Sequence, residues 1–468
     1  MTTRLDLCVC KIAESRISGE AVSKIMSRAA SVFHESSGGD IELQIVPRND
    51  PFNGDYSGNI SDGHLHGALY AMTGRQNPQA GIKKIGLVIA DRYESLPGAF
   101  GIMFDQRFVP NSSSRYLRVP REGCAVFLNA IASKRQSDER RRELAFTVIH
   151  ELGHVFNLQH TNATSFMRQS AGRPHAFKYD AFEFTQDDQY RLSQCTASRH
   201  IRPGGSAFED LGDMANANTQ KQSQLSTALD LRIDLSSREF WRFEPVELDV
   251  QLFANGSRKK SVKIPNVMDP GHPQFCIWID EPDGERRRYR PERRFCGGEG
   301  TLTLKPGETW WRDLPFFGQA GGYTFSKPGI HAIQVTLESL ALGRVESNKL
   351  AVNVLAARQD DPLYASAKSC FEAEAIGMLM HYRSFINRLP PGTNKLRDYC
   401  DAFSDHASAG MGRYKLGRAL VRRLKQDGKE SIIGRYRRLA SADLKQAIAD
   451  RSLGDGRRSK AEKDLLSL

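Results

Sequence analysis

Apolar and polar positions alternate from the first residues of the chain, and residues 4–12 read as a strand. Over residues 18–33 the spacing becomes helical, with Val22, Ile25, Met26, Ala29, Ala30, Val32 and Phe33 on one stripe. Residues 41–46 return to a strand, 85–90 form an apolar run suited to a buried strand, and 101–104 and 124–128 are shorter strands. Ser137 is a candidate N-cap, and Asp138 and Glu139 follow it in a first turn that favours acidic groups. The stripe Leu144, Ala145, Val148, Ile149 and Leu152 then predicts a helix laid against that sheet. Thr185-Gln-Asp-Asp188 has the form of an N-cap and opens a further helix through Leu192. Between 52 and 67 the Gly, Asn and Asp content predicts a solvated loop carrying His64 and His66.

Later segments follow other patterns. Residues 197–224 are rich in Gly, Asn, Ser and Gln and read as a linker. Short alternating runs at 246–253, 261–264, 275–280, 300–304, 330–337 and 349–354, punctuated by Gly and Pro, predict a β-sandwich, plausibly immunoglobulin-like. The Arg-rich stretch 285–295 within it reads as a solvated hairpin tip or, more sharply, a contact for an anionic partner. From about 360 the spacing is helical, with one long pattern over 365–389 and others at 413–425 and 430–449. The expectation is a multidomain chain: an α/β domain over 1–200, a linker at 201–224, a β-sandwich over 225–357 and a helical basic region over 358–468.

Charge sharpens the last of these. Residues 411–468 hold 16 Lys and Arg against 7 Asp and Glu, a surplus of 9 out of the chain's +11. Such helices suit an anionic partner, but no nucleic-acid signature stands out and a solvated basic face is the simpler reading. No run reaches the roughly 18 apolar residues of a membrane span. With Asp6 inside the first apolar run there is no leader pattern, so a cytoplasmic location is expected, with leaderless export as the alternative. Cys8 and Cys10 share a strand face and read as core thiols, and Cys276 and Cys296 are expected to stay reduced.

Chemistry concentrates at residues 150–160, His-Glu-Leu-Gly-His-Val-Phe-Asn-Leu-Gln-His. His150 and His154 stand one helical turn apart, so both rings lean over the same face and can reach one ion. His160 cannot follow on the same straight helix; the chain must turn, and Asn157 tolerates the left-handed backbone that ends helices. Three neutral imidazoles leave one tetrahedral position open, the arrangement of a catalytic zinc. Glu151 is then placed to take a proton from the attacking water.

This run resembles the extended zinc signature of the metzincin metallopeptidases, His-Glu-x-x-His-x-x-Gly-x-x-His, with Asn157 in place of the Gly. Ser165-Phe166-Met167-Arg168 is similar to the family's Met-turn, at the interval of its matrixin-like members; the Tyr that some members carry two residues later is Gln169 here. The resemblance covers about residues 1–200. It implies a metzincin-like catalytic domain, a Zn2+ cofactor held by His150, His154 and His160, Glu151 as catalytic base, Met167 as hydrophobic floor, and a protein or peptide substrate. It also implies that 99–105 is the edge strand aligning the substrate backbone, and that the loop 168–184 shapes the specificity pocket. His64 and His66 would at most brace a second, structural ion, and Glu183 is a poor alternative ligand. The expected activity is that of a zinc endopeptidase. The alternative is a zinc-braced scaffold whose β-sandwich and basic helices bind a partner without proteolysis.

Overall fold

In the computed structural model the first strand, β1 (Thr3–Lys11), buries both faces, with Leu5, Leu7 and Val9 in one apolar core and Cys8 and Cys10 in another. A strand covered on two sides needs helices on both, and the residues that follow supply them. The structure describes residues 3–12, 17–49, 59–73, 83–94, 98–104, 108, 123–132, 137–158, 160–161, 163–168, 182–193, 229–255, 261–265, 269–271, 275–296, 301–339, 343–382, 392–426, 430–450 and 453–468. The linker 201–224 and most of the loop 168–184 lie outside the described residues. The chain is a mixed α/β protein of several sheets and helices in two compact units. One comprises Met1–Arg107, Arg118–Ala217 and Pro291–Gly300, the other Phe108–Leu117, Asn218–Arg290 and Thr301–Leu468.

In the first unit, Ser18 accepts from Ala21 N and starts α1 (Gly19–Ser36), which crosses over to β2 (Ile41–Arg48), parallel to β1. A helix not expected from the sequence, α2 (Asp62–Thr73), follows. Ser61 Oγ accepts from His64 N at its start, and His64 and His66 are buried on it. The solvated-loop reading of these two histidines is therefore overturned. Next come β3 (Lys83–Ala90), β4 (Gly101–Phe104), β5 (Gly123–Phe127), α3 (Ser137–Val155) and α4 (Gln186–Ser193). A last strand, β6 (Arg293–Cys296), arrives from far along the sequence. The sheet order is β6-β4-β5-β3-β1-β2, with β4 antiparallel to both of its neighbours. Buried residues of α1 and α3 share one core with one sheet face, and those of α2 share the other, giving three layers.

The second unit holds a three-stranded antiparallel sheet of Leu229–Leu235, Glu247–Ala254 and Thr309–Pro315. A larger sheet is built on Phe275–Asp280, Gly329–Ser339 and Leu350–Val354. Leu229–Leu235 alternates strictly between buried and exposed positions, as a half-buried strand should. Both sheets and the C-terminal helices share one apolar core that includes Ile233, Val335, Phe371, Tyr414 and Leu444. The stretch read as a hairpin tip is not a free loop. Arg286–Arg288 is a strand on Phe275–Asp280, Arg287 pairs with the buried Glu281, and Arg286 lies 5.3 Å from the Trp278 ring centroid.

The single helix expected over 365–389 is two helices, Pro362–Phe371 and Glu374–Tyr382, with 383–389 outside the described residues. Several cations of the basic C-terminal region point inward rather than to solvent. Lys415 and Arg457 both pair with Glu247, which has no exposed surface, at 3.1 and 2.8 Å, and Arg457 also holds Asp249 at 2.6 Å. Among the described residues, no helix is long and apolar enough to cross a membrane. Cys8, Cys10, Cys124, Cys276, Cys370 and Cys400 are buried free thiols.

Candidate metal centre

Helix α3 ends two residues before a deliberate change of direction. Asn157 has φ of 68°, the left-handed value, and is the one non-glycine residue with positive φ among those described. Asn157 N donates to His154 O at 2.9 Å and Leu158 N to Gly153 O at 3.0 Å, the paired bonds of a Schellman ending with Asn157 at the left-handed position. The turn brings His160 back over the face that carries His150 and His154. The three Nε2 atoms lie 3.2 Å (His150–His160), 3.1 Å (His150–His154) and 3.1 Å (His154–His160) apart.

The short contact between the His150 and His154 nitrogens is not a hydrogen bond. His150 Nδ1 donates to Phe166 O at 2.5 Å and His154 Nδ1 to Leu158 O at 2.8 Å, because a carbonyl can only accept. In a neutral ring the Nε2 atom is then a bare lone pair, and such lone pairs converging on one point repel unless a cation sits among them. Zinc with bonds of 2.0–2.1 Å in tetrahedral geometry needs ligand separations of about 3.3–3.4 Å. The observed triangle is within a few tenths of an ångström of that, so the residues fit the ion. His150 and His154 are fully buried and His160 is half-buried, so the cluster opens outward at His160. Among the described residues this is the one group of three or more His, Cys, Asp or Glu side chains able to share an ion; His64, His66 and Glu183 belong to no such group.

Glu151 is completely buried beside the triad. It packs against β4: a Cβ at Gly101 would lie 2.5 Å from Glu151 Oε1 and 2.6 Å from its Cγ. Cys124 on β5 is close enough to feel the same carboxylate. Burial first, and Glu151 second, hold its thiol well above the usual range.

The segment after His160 turns back against the end of α3. Arg168 N donates to Ser165 O at 3.0 Å, closing a tight turn, and Met167 O accepts from Thr161 N at 3.0 Å. Met167 is fully buried and its sulfur fills the space where Gly153 has no side chain, next to His154. The turn is tied to α4 by Asp188, whose Oδ2 accepts from Ser165 Oγ at 3.4 Å and from Thr185 Oγ1 at 2.7 Å. Burial raises the Asp188 carboxyl, and the bonds from Thr185 and Ser165 partly offset it. Aromatic rings wall the far side: Phe146 stacks on His150 at 5.7 Å, and Phe166 meets Phe146 at 5.8 Å and Phe184 at 5.3 Å.

No family model and no curated protein matches the chain. Among solved structures, it is similar to metalloproteinase-II from Bacteroides fragilis at 13% identity and TM-score 0.28, over 42% of this chain and 54% of that one. The chain thus spans about half the length of that metalloproteinase. A β-glucosidase from Erythrobacter marinus aligns at 12% identity and TM-score 0.17, over 75% of this chain and 47% of the other. Likenesses this low carry no argument about fold or activity, so the chemistry rests on the site itself.

Sequence reasoning brought out the histidines, Glu151, Asn157 and Met167. It missed Gly101, Asp188 and the carbonyls of Leu158 and Phe166. Gly153 was the readable hint of close packing, since a glycine inside a helix costs about 1 kcal/mol unless something needs the space. The turn at Asn157 gives a direct expectation. Asn157→Gly should leave zinc affinity within about twofold, because glycine adopts positive φ freely. Asn157→Val should weaken it by about five- to thirtyfold, the equivalent of about 1–2 kcal/mol of left-handed strain. A competition titration against a chromogenic chelator reads both.

Proposed function

We propose that this chain is a zinc-dependent endopeptidase with a metzincin-like catalytic domain, in which His150, His154 and His160 hold the ion and Glu151 is the base. One observation carries the reading: three histidine Nε2 atoms converge within 3.1–3.2 Å, with a buried carboxylate on the residue next to one of them. Zinc, when bound, would acidify water and polarise a peptide carbonyl. The protein's part is to place and move protons. Glu151, fixed against Gly101, takes the proton from the attacking water and delivers it to the departing amine. The Phe166 and Leu158 carbonyls keep the His150 and His154 rings in the tautomer whose free nitrogen faces the ion. Met167, packed into the notch at Gly153, and the wall of Phe146 and Phe166 shield the inner side from water. The immunoglobulin-like reading of the second unit belongs to the same proposal, as an accessory module that binds or positions.

The test is elemental analysis of the purified full-length chain together with cleavage of a broad peptide library. One zinc per chain and chelator-sensitive cleavage are expected. A zinc-loaded chain that cuts no peptide would favour the scaffold. Gly101→Ala is a finer probe, because the added methyl must push Glu151 aside. Cleavage should fall at least tenfold, and by no more than the roughly 10²–10⁴-fold that a general base contributes, at unchanged zinc content. Cleavage at the original rate would mean that β4 does not position the base.

A further inference from the structure

Gly101 of β4 adjoins the Glu151 carboxylate, so a peptide added along the outer edge of β4 would pass the base of the proposed peptidase. That edge is already taken. β6 runs antiparallel along it in the register Arg293–Phe104, Arg294–Met103, Phe295–Ile102 and Cys296–Gly101, so its last residue pairs with the one that adjoins Glu151. The stretch 99–105, read from the sequence as a free edge for a substrate, is therefore an interior strand over Gly101–Phe104, with Asp105 outside the described residues.

The strand is also anchored at its start. Pro291 and Glu292 are buried, and Glu292 Oε2 lies 3.4 Å from His66 Nε2, with both side chains almost fully enclosed. The His66 ring meets the Phe104 ring of β4 edge-on at 4.7 Å. The two histidines on α2 that the metal centre does not use thus include one that fastens this segment.

We propose that residues 291–296 are a built-in competitor for the peptide-binding edge: β6 occupies β4 in place of substrate and must leave before an extended peptide can bind. Strand addition to β4 supplies the same main-chain hydrogen bonds whether the added strand is the chain's own or a substrate's. An own strand is always present at high effective concentration, so it wins unless displaced. The proposal rests on the peptidase reading of the site.

Hydrogen exchange on the full-length, zinc-loaded protein tests it, with the tripeptide hydroxamate Pro-Leu-Gly-NHOH as zinc-directed probe. At saturation the amides of Arg294 and Cys296, the alternate ones that face β4, should exchange at least tenfold faster, while those of Ile102 and Phe104, which face β5, stay protected. Removing the anchor by Glu292→Ala should tighten hydroxamate binding about tenfold by calorimetry and lower KM rather than raise kcat. Undiminished protection of Arg294 and Cys296 at saturation would overturn the proposal, as would equal affinity in the folded Glu292→Ala protein or a probe that binds neither form. The exchange measurement needs no variant, so it decides even if Glu292→Ala does not fold. Displacement in a zinc-loaded chain that cleaves no peptide would uphold the competing strand and remove the peptidase reading instead.

Discussion

On the peptidase reading, Glu151→Gln should lower kcat/KM for peptide cleavage by roughly 10²–10⁴-fold, the usual share of a general base, and leave the zinc content unchanged. The amide keeps the size of the carboxylate in a fully buried position against Gly101, so the three histidines are undisturbed. What it loses is the capacity to accept a proton. The loss corresponds to about 2.7–5.5 kcal/mol in the barrier. It should appear in kcat and kcat/KM alike, because the interaction belongs to the transition state. Stopped-time cleavage of a fluorogenic peptide with parallel metal analysis checks it. A variant that retains zinc and the original rate would place the base elsewhere.

The second large effect lies in the other unit. Arg457→Met should destabilise it by about 3–5 kcal/mol, the cost of breaking a buried ion pair from one side. For a unit of this size that is a fall of roughly 6–20 °C in Tm. Arg457 is buried and reaches both Glu247 and Asp249, at 2.8 and 2.6 Å. Removing it takes one of the two described cations from Glu247, which keeps Lys415, and takes from Asp249 the guanidinium that offsets burial, which already pushes that carboxyl up to about 7. Combining Arg457→Met with Asp249→Asn should recover part of the loss, since the carboxylate that the first change strands is then gone. Differential scanning calorimetry of the single and double variants reads both. A single variant that melts like the unaltered protein would show that the pair contributes nothing net.

The parts of this molecule that were legible in its sequence are those where local pattern and local need coincide. Helix α1 announced itself by a one-sided stripe, and Asn157 by the scarcity of residues that accept positive φ. Helix α2 gave no such sign, because His64, Leu65, His66, Gly67, Ala68 and Leu69 are all buried and a helix enclosed on every side has no polar face to set a period. The break near Glu372 was equally silent, with no Gly or Pro between Phe371 and Glu374 to mark it. For β6, alternation can suggest a strand but not its partner, and its partner lies some 190 residues earlier. At the metal centre, side chains were readable, whereas backbone carbonyls and the gap at Gly101 became visible only in three dimensions.

A fragment cut near residue 200 would look like a self-contained catalytic piece, yet it would lack the Arg293–Cys296 partner of β4. The main-chain N–H and C=O groups of Gly101 and Met103 would then face water on a strand whose own residues are all buried. Bare edges of that kind recruit other chains, so such a fragment is a candidate for pairing edge to edge and precipitating. Solubility of the short form, set against the whole chain, is thus a property of this one distant tetrapeptide.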